Sequence, residues 1–97
     1  MKLQQAIHQI LCDTTIFPVG TSLYCAGIVK KVQENPQLRK DFPDASDENI
    51  YHHTSKLLEV HHNAPDNNYT EDYHHKREII VDTTNPRRYL YTFGELL

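Results

Sequence analysis

Apolar positions along the first third of the chain recur at spacings of three and four residues, which is the period of one face of an α-helix. The first such face consists of Leu3, Ala6, Ile7, Ile10 and Leu11. The second consists of Tyr24, Cys25, Ile28, Val29 and Val32. The sequence therefore predicts two amphipathic helices before residue 35.

The ends of these two helices are predicted from residues that cap or interrupt a helix. Asp13-Thr14-Thr15 forms helices poorly and ends the first one. Thr21 and Ser22 are good N-caps for the second helix, because a hydroxyl oxygen accepts from an unpaired N–H of the first turn. Asn35-Pro36 ends it, since proline disfavours helical backbone in the residue before it. Between the helices, residues 16–19 are expected to be extended, with Phe17 in the core.

A third helix is predicted over residues 46–62, after a connection from Asn35 to Ala45 that we expect to be free of helix. Ser46 and Asp47 cap its start. Its inner face would comprise Ile50, Thr54, Leu57, Leu58 and His61, flanked by Tyr51 and Val60. Asn63-Ala64-Pro65 closes it, and residues 66–72 are predicted to form an exposed polar loop.

The last quarter of the chain has the pattern of a β-hairpin. Residues 78–83 and 89–93 are rich in β-branched and aromatic residues, and they flank Asn85-Pro86-Arg87. A turn centred on Pro86 would pair Ile79 with Phe93, Val81 with Tyr91 and Thr83 with Tyr89. Since a lone hairpin is not stable, its apolar face must pack on the helices.

These elements predict a mainly α fold with a C-terminal β-hairpin, of the α+β class, in one domain over residues 1–97. Helix, extended piece, helix, helix and hairpin is an order that resembles the winged helix-turn-helix family from Lys2 to Phe93. The resemblance implies three helices and a two- or three-stranded antiparallel sheet. It rests on element order and a basic hairpin tip, without a signature motif.

The resemblance also implies a function, which is that of a small DNA-binding protein, a transcriptional regulator that is dimeric in many relatives. The helix at 46–62 would enter the major groove of double-stranded DNA, and the hairpin at 78–93 would be the wing. By position, the groove-facing residues are Asn49, His52, Ser55 and Lys56. The wing residues are Arg87 and Arg88, approached by Lys76 and Arg77.

Charge is unevenly distributed and leaves a second function open. The net charge is −3, and residues 41–72 hold eight acidic residues against the single basic residue Lys56. Residues 74–93 are locally positive, with four basic residues against Glu78 and Asp82. The alternative is a protein-interaction module with a winged-helix fold, which docks on a basic partner through its acidic middle and binds no nucleic acid.

Reactive side chains give no pattern of a catalytic or metal site. Six of the seven histidines occur as the adjacent pairs His52-His53, His61-His62 and His74-His75, whereas helical ligand pairs are spaced by three or four residues. Cys25 lies on an apolar face and Cys12 at a helix end, neither beside an evident base. We expect no enzyme activity, no metal and no cofactor. Without a signal peptide or an apolar span, we expect a cytoplasmic protein with no membrane contact.

Overall fold

The computed structural model describes residues 1–62 and 76–97, which form four helices and a three-stranded antiparallel sheet. The elements are α1 (Leu3–Leu11), β1 (Ser22–Tyr24), α2 (Cys25–Gln33), α3 (Pro36–Asp41), α4 (Asp47–Glu59), β2 (Arg77–Asp82) and β3 (Leu90–Leu96). The protein is thus of the α+β class with a C-terminal hairpin, as predicted. The predicted helix stop at 63–65, the polar loop at 66–72 and the pair His74-His75 lie outside the described residues.

The core is a single cluster in which α1, α2 and α4 pack against one face of the sheet. Both predicted amphipathic faces point into it, with Ile7 of α1 and Ile28 of α2 fully buried. Phe17, in the loop after α1, stacks on Phe93 of β3 with ring centroids 4.5 Å apart. Phe17 is therefore a core residue, as predicted, and it joins the helical layer to the sheet.

The extended segment lies later in the chain than the predicted one at 16–19. The chain turns at Gly20, whose φ of 91° favours glycine, and only then meets β3. There the N–H of Gly20 donates to the carbonyl of Phe93, and the N–H of Phe93 donates to the carbonyl of Thr21, both at 2.8 Å. The first strand is consequently Ser22–Tyr24, because β3 offers its partners at those residues.

Assigning Thr21 and Ser22 as helix caps was wrong for the same reason. The hydroxyl of Ser22 lies 2.8 Å from that of Thr92 across the sheet and does not cap a helix. The second helix begins at Cys25, after Tyr24, with no side-chain cap. Ile28, Val29 and Val32 of the predicted apolar face are buried, whereas Tyr24, also predicted on that face, precedes the helix and is exposed.

The connection from Asn35 to Ala45 contains the short helix α3, which was not predicted. Asn35 and Pro36 end one helix and begin the next, because Asn35 Oδ1 accepts from the N–H of Leu38 at 2.9 Å and Pro36 occupies the first helical turn. Leu38 anchors α3 in the core. Residues 1–62 and 76–97 therefore contain four helices, not three.

The third predicted helix is α4, which ends earlier than residue 62. Ser46 caps it as predicted, its Oγ accepting from the N–H of Asn49 at 3.1 Å. Ile50, Thr54, Leu57 and Leu58 are buried as predicted. His61 lies beyond the helix and is only partly buried, whereas Tyr51 on the flank is 54% exposed.

The hairpin is confirmed, with β3 as the central strand of the order β1-β3-β2. Ile79 pairs with Phe93 and Val81 with Tyr91, in the predicted register. The third predicted pair, Thr83 with Tyr89, lies beyond the ladder, which ends at Asp82 and Leu90. Among the described residues, no helix is both long and apolar enough to cross a bilayer.

Candidate nucleic-acid interface

The four residues predicted to face DNA from α4 differ in their surroundings. Asn49 and His52 are exposed on the outer side of the helix. Ser55 is half-buried and its Oγ lies 3.7 Å from Cys25 Sγ on α2. Lys56 is also half-buried, and its ammonium lies 3.5 Å from the Glu59 carboxylate on the next turn. Asn49 and His52 are thus the most accessible of the four.

The acidic start of α4 is partly neutralised by an arginine from α3. The guanidinium of Arg39 forms an ion pair with Asp47. It also donates to the carbonyls of Gln33 at 2.7 Å and Ala45 at 3.0 Å. Arg39 therefore ties α2, α3 and the start of α4 together, and Glu48 is the other acid of the first turn.

Arg77 was predicted to approach DNA beside the wing, and this prediction is wrong because Arg77 is buried. Only 1% of the residue is exposed, because β2 alternates and Arg77 shares the inner face with Ile79. Its guanidinium donates to the carbonyls of Gly94 and Leu11, both at 2.9 Å, and to that of Phe17. This burial lowers the pKa of the Arg77 guanidinium. Lys76, its predicted neighbour at the wing, is exposed.

Arg87 and Arg88 lie at the hairpin tip, where they were predicted, but their guanidinium groups are held differently. The tip is a turn in which the N–H of Arg88 donates to the carbonyl of Asn85 at 3.3 Å, with Pro86 second in the turn. The guanidinium of Arg88 lies 3.6 Å above the ring of Tyr24. Within residues 1–62 and 76–97, that of Arg87 has no carboxylate within salt-bridge distance. Arg87 is therefore the cation of the tip that an anion can reach most directly.

A groove of about 810 Å³ separates the hairpin from α4 and the start of α2. Tyr51, Ser55 and Glu59 of α4 line one side, and Arg87 and Arg88 line the other. Among the described residues, four tyrosines line it, which are Tyr24, Tyr51, Tyr89 and Tyr91. We call this concavity the tip groove. Its arginine side chains can bind an anionic group, and the neighbouring tyrosine rings can stack on a planar group.

Three of the residues that line the tip groove, one histidine and two tyrosines, contact one another. The ring of His62 meets that of Tyr89 edge-on, with centroids 5.1 Å apart, and His62 Nε2 lies 3.2 Å from the Tyr91 hydroxyl. Burial, with smaller effects from Cys25, Glu59 and Tyr89, raises the pKa of Tyr91 to about 12. Tyr91 therefore stays a neutral phenol at physiological pH and adds no negative charge to the tip groove.

Cys12 lies beside a histidine, but its thiol does not have the lowered pKa of an activated nucleophile. Cys12 Sγ lies 3.5 Å from His8 Nε2. Burial nevertheless raises the pKa of the Cys12 thiol, outweighing the opposing effect of Arg77 and Lys76, and the thiolate is the nucleophilic form. Among the described residues, no three His, Cys, Asp or Glu side chains come close enough to hold a metal ion.

Two residues of the tip groove, Tyr24 and Tyr51, were not predicted to be functional. Their positions in the sequence fit the edges of helical faces, and nothing local connects either of them to Arg88. They come together only when β1 pairs with β3 and α4 packs beside them. The chain matches no protein-family model, no curated protein and no solved structure. The resemblance to winged helices therefore stays an expectation from the sequence.

Proposed function

We propose that this chain binds double-stranded DNA as a winged-helix regulator, with α4 in the major groove and the β2–β3 hairpin as the wing. The three-stranded antiparallel sheet and the C-terminal hairpin support the proposal, since they agree with what the resemblance implies, whereas α3 is an additional helix. In that arrangement Asn49 and His52 read base edges, and Arg87 holds a phosphate. Arg77 has no contact with DNA in this proposal, because it is buried.

The observation that carries the proposal is that α4 and the hairpin tip border the same groove. Tyr51 and Ser55 line it from α4, and Arg87 and Arg88 line it from the tip. Ser55 is the predicted DNA-facing residue of α4 that shares this groove with the tip arginines, and Asn49 and His52 lie outside it. We propose that a duplex on α4 extends over Ser55 to the hairpin tip. Arginine suits this contact, because its planar guanidinium can donate two parallel hydrogen bonds to one phosphate.

The net charge of −3 does not exclude this function, because affinity depends on the local surface. Asp47 of α4 is paired with Arg39, which reduces the negative charge next to the proposed interface. Arg87 remains available at the tip. Few phosphate contacts are expected, and hence an affinity that is moderate at physiological salt and rises as salt is lowered.

The test is binding of a fluorescent duplex of about 20 base pairs, followed by anisotropy at several salt concentrations. We expect the double variant R87A/R88A to bind more weakly. The negative slope of log K against log salt should become shallower by about one to two, because one to two phosphate contacts are lost. The matched control is K30A/K40A, which removes two exposed cations that lie outside the tip groove. It should keep the wild-type slope.

Two results would count against the proposal. One is an absence of duplex binding by the wild-type chain even at the lowest salt. The other is an equal decrease of affinity and of salt dependence in R87A/R88A and K30A/K40A. The tip arginines would then contribute only through the total charge of the protein and not through a specific contact. Circular dichroism of both variants establishes that the fold is intact.

A further inference from the structure

The tip groove is lined by tyrosine rings as well as by arginines, and the rings are not needed to bind a phosphate. Tyr51 is 54% exposed and lines the tip groove from α4. Tyr89 is in edge-to-face contact with His62, and Tyr91 is buried. Tyr24 has one face covered by Arg88. Tyr51 therefore offers the most accessible ring, and it is within the same groove as Arg87.

We propose that the tip groove holds one unpaired nucleotide, whose base stacks on Tyr51 and whose phosphate is bound by Arg87. This inference rests on the proposed function and specifies the form of nucleic acid, namely an unpaired base at a duplex end or in a single strand. Stacking on an aromatic side chain needs the face of a base, which a paired base inside a duplex does not expose. A volume of about 810 Å³ is within the range of small-ligand sites.

The charged side chains around the hairpin tip make the tip groove a better site for a phosphate than a second cavity beside it. This second cavity, of about 410 Å³, is also lined by Arg88 and Tyr24 and includes Asp82 in its wall. Its carboxylate accepts from the N–H of Thr84 at 2.9 Å, and hydrogen bonds from Thr84 lower the pKa of Asp82. Asp82 is therefore ionised and repels a phosphate. Of the described residues that line the tip groove, Glu59 is the one that carries a carboxylate, and this carboxylate lies 3.5 Å from the ammonium of Lys56.

The Arg88–Tyr24 stack gives the tip groove a preformed wall. A guanidinium 3.6 Å above an aromatic ring is in cation–π contact, which holds the hairpin tip against the junction of β1 and α2. The tip is further fixed by Asn85 Oδ1, which accepts from the N–H of Arg87 at 3.0 Å. Arg87 is thus presented from an ordered turn.

The experiment compares four probes by anisotropy or competition: a blunt duplex, the same duplex with a three-nucleotide 3′ overhang, the same with a 5′ overhang, and free thymidine monophosphate. Tyr51 is changed to Leu, which keeps apolar bulk and removes the ring, and to Phe, which keeps the ring. Because Tyr51 is largely exposed, neither change should unfold the chain. We expect at least one overhang to bind about fivefold or more tightly than the blunt end, since one stacked base has an effect of this size.

This advantage should disappear in Y51L and persist in Y51F. Equal affinity for blunt and overhanging duplexes in the wild type would overturn the inference and leave the proposed duplex binding intact. An advantage that survives in Y51L would also overturn it. Conversely, overhang binding without blunt-duplex binding would support the tip groove and contradict the duplex function. If free thymidine monophosphate binds with the same dependence on Tyr51 while overhangs give no advantage, the inference of an unpaired strand end is overturned in favour of a free nucleotide.

Discussion

Arg77 is the residue on which three parts of the fold converge. Its guanidinium satisfies the carbonyl of Leu11, the last residue of α1, which has no partner within the helix. It also bonds Phe17 in the following loop and Gly94 in β3, and lies 4.9 Å from the centroid of the Phe93 ring. No carboxylate within the described part of the chain forms a salt bridge with it. The charge is compensated by carbonyl dipoles, so removing the side chain leaves buried acceptors unpaired.

We expect R77M to lower the free energy of unfolding by about 2–4 kcal/mol, because methionine fills similar space and donates no hydrogen bond. R77K should recover part of the loss, since an ammonium can donate to some of these carbonyls. Urea denaturation followed by circular dichroism measures both changes. A change in R77M below about 0.5 kcal/mol would show that these bonds contribute little to stability.

Two aspartates at the ends of loops make stability dependent on acid. The Asp13 carboxylate accepts from the hydroxyl of Thr15 at 2.6 Å and from its N–H at 2.8 Å, and these bonds lower the pKa of Asp13 below its ordinary value of 3.8. Hydrogen bonds from Thr84 lower the pKa of Asp82 in the same way. A depressed folded-state pKa means that the ionised form stabilises the fold above the ordinary value, and that this stabilisation is lost as the pH falls through the folded pKa.

We therefore expect the free energy of unfolding to decline as the pH is lowered from about 5 to about 3. In D13N/D82N the amide does not titrate in this range, and the decline should be smaller. Urea denaturation at several pH values gives the comparison. An identical pH dependence in the wild type and the double variant would assign the decline to other groups.

At the level of elements, the sequence pattern identifies the long helices and the hairpin and misses the short pieces. α4 was predictable because thirteen residues carry a cap and a regular apolar face. α3 has six residues and one buried side chain, Leu38, so periodicity cannot reveal it. β1 has three residues, and its position depends on hydrogen bonds to a strand about seventy residues later. Such elements are determined by tertiary pairing and not by local propensity.

The N-cap of α4 matters for the proposed function, because it fixes the start of the helix that carries the residues proposed to face DNA. Ser46 Oγ accepts from the N–H of Asn49, one of the residues proposed to face DNA. We expect S46A to destabilise the protein by about 1 kcal/mol, and S46D to lose little, since Asp is as good an N-cap as Ser. Thermal unfolding of the two variants measures the difference. Equal melting temperatures for S46A and the wild type would mean that the hydroxyl does not cap the helix in solution.

For the whole molecule, the parts of the proposed interface differ in how far sequence predicts them. The hairpin tip and the outer side of α4 were predictable, because each is encoded by a local pattern. The burial of Arg77 was not predicted from the sequence, because the predicted strand began at residue 78. In the structure β2 begins at Arg77, and the alternation of inward and outward side chains places Arg77 on the inner face. The tip groove was not predictable either, because it joins residues of β1, α4 and the hairpin.

The most direct test of the interface is a titration of ¹⁵N-labelled protein with a duplex of about 20 base pairs at low salt, followed by amide chemical shifts. If α4 and the hairpin tip bind DNA together, the largest changes fall on the amides of Asn49, His52 and Lys56 and on Arg87 and Arg88. Those of α1 and of Ile80, on the outer face of the sheet, should move little. An unchanged spectrum, or changes concentrated on α1 or the outer face of the sheet, would contradict the proposal.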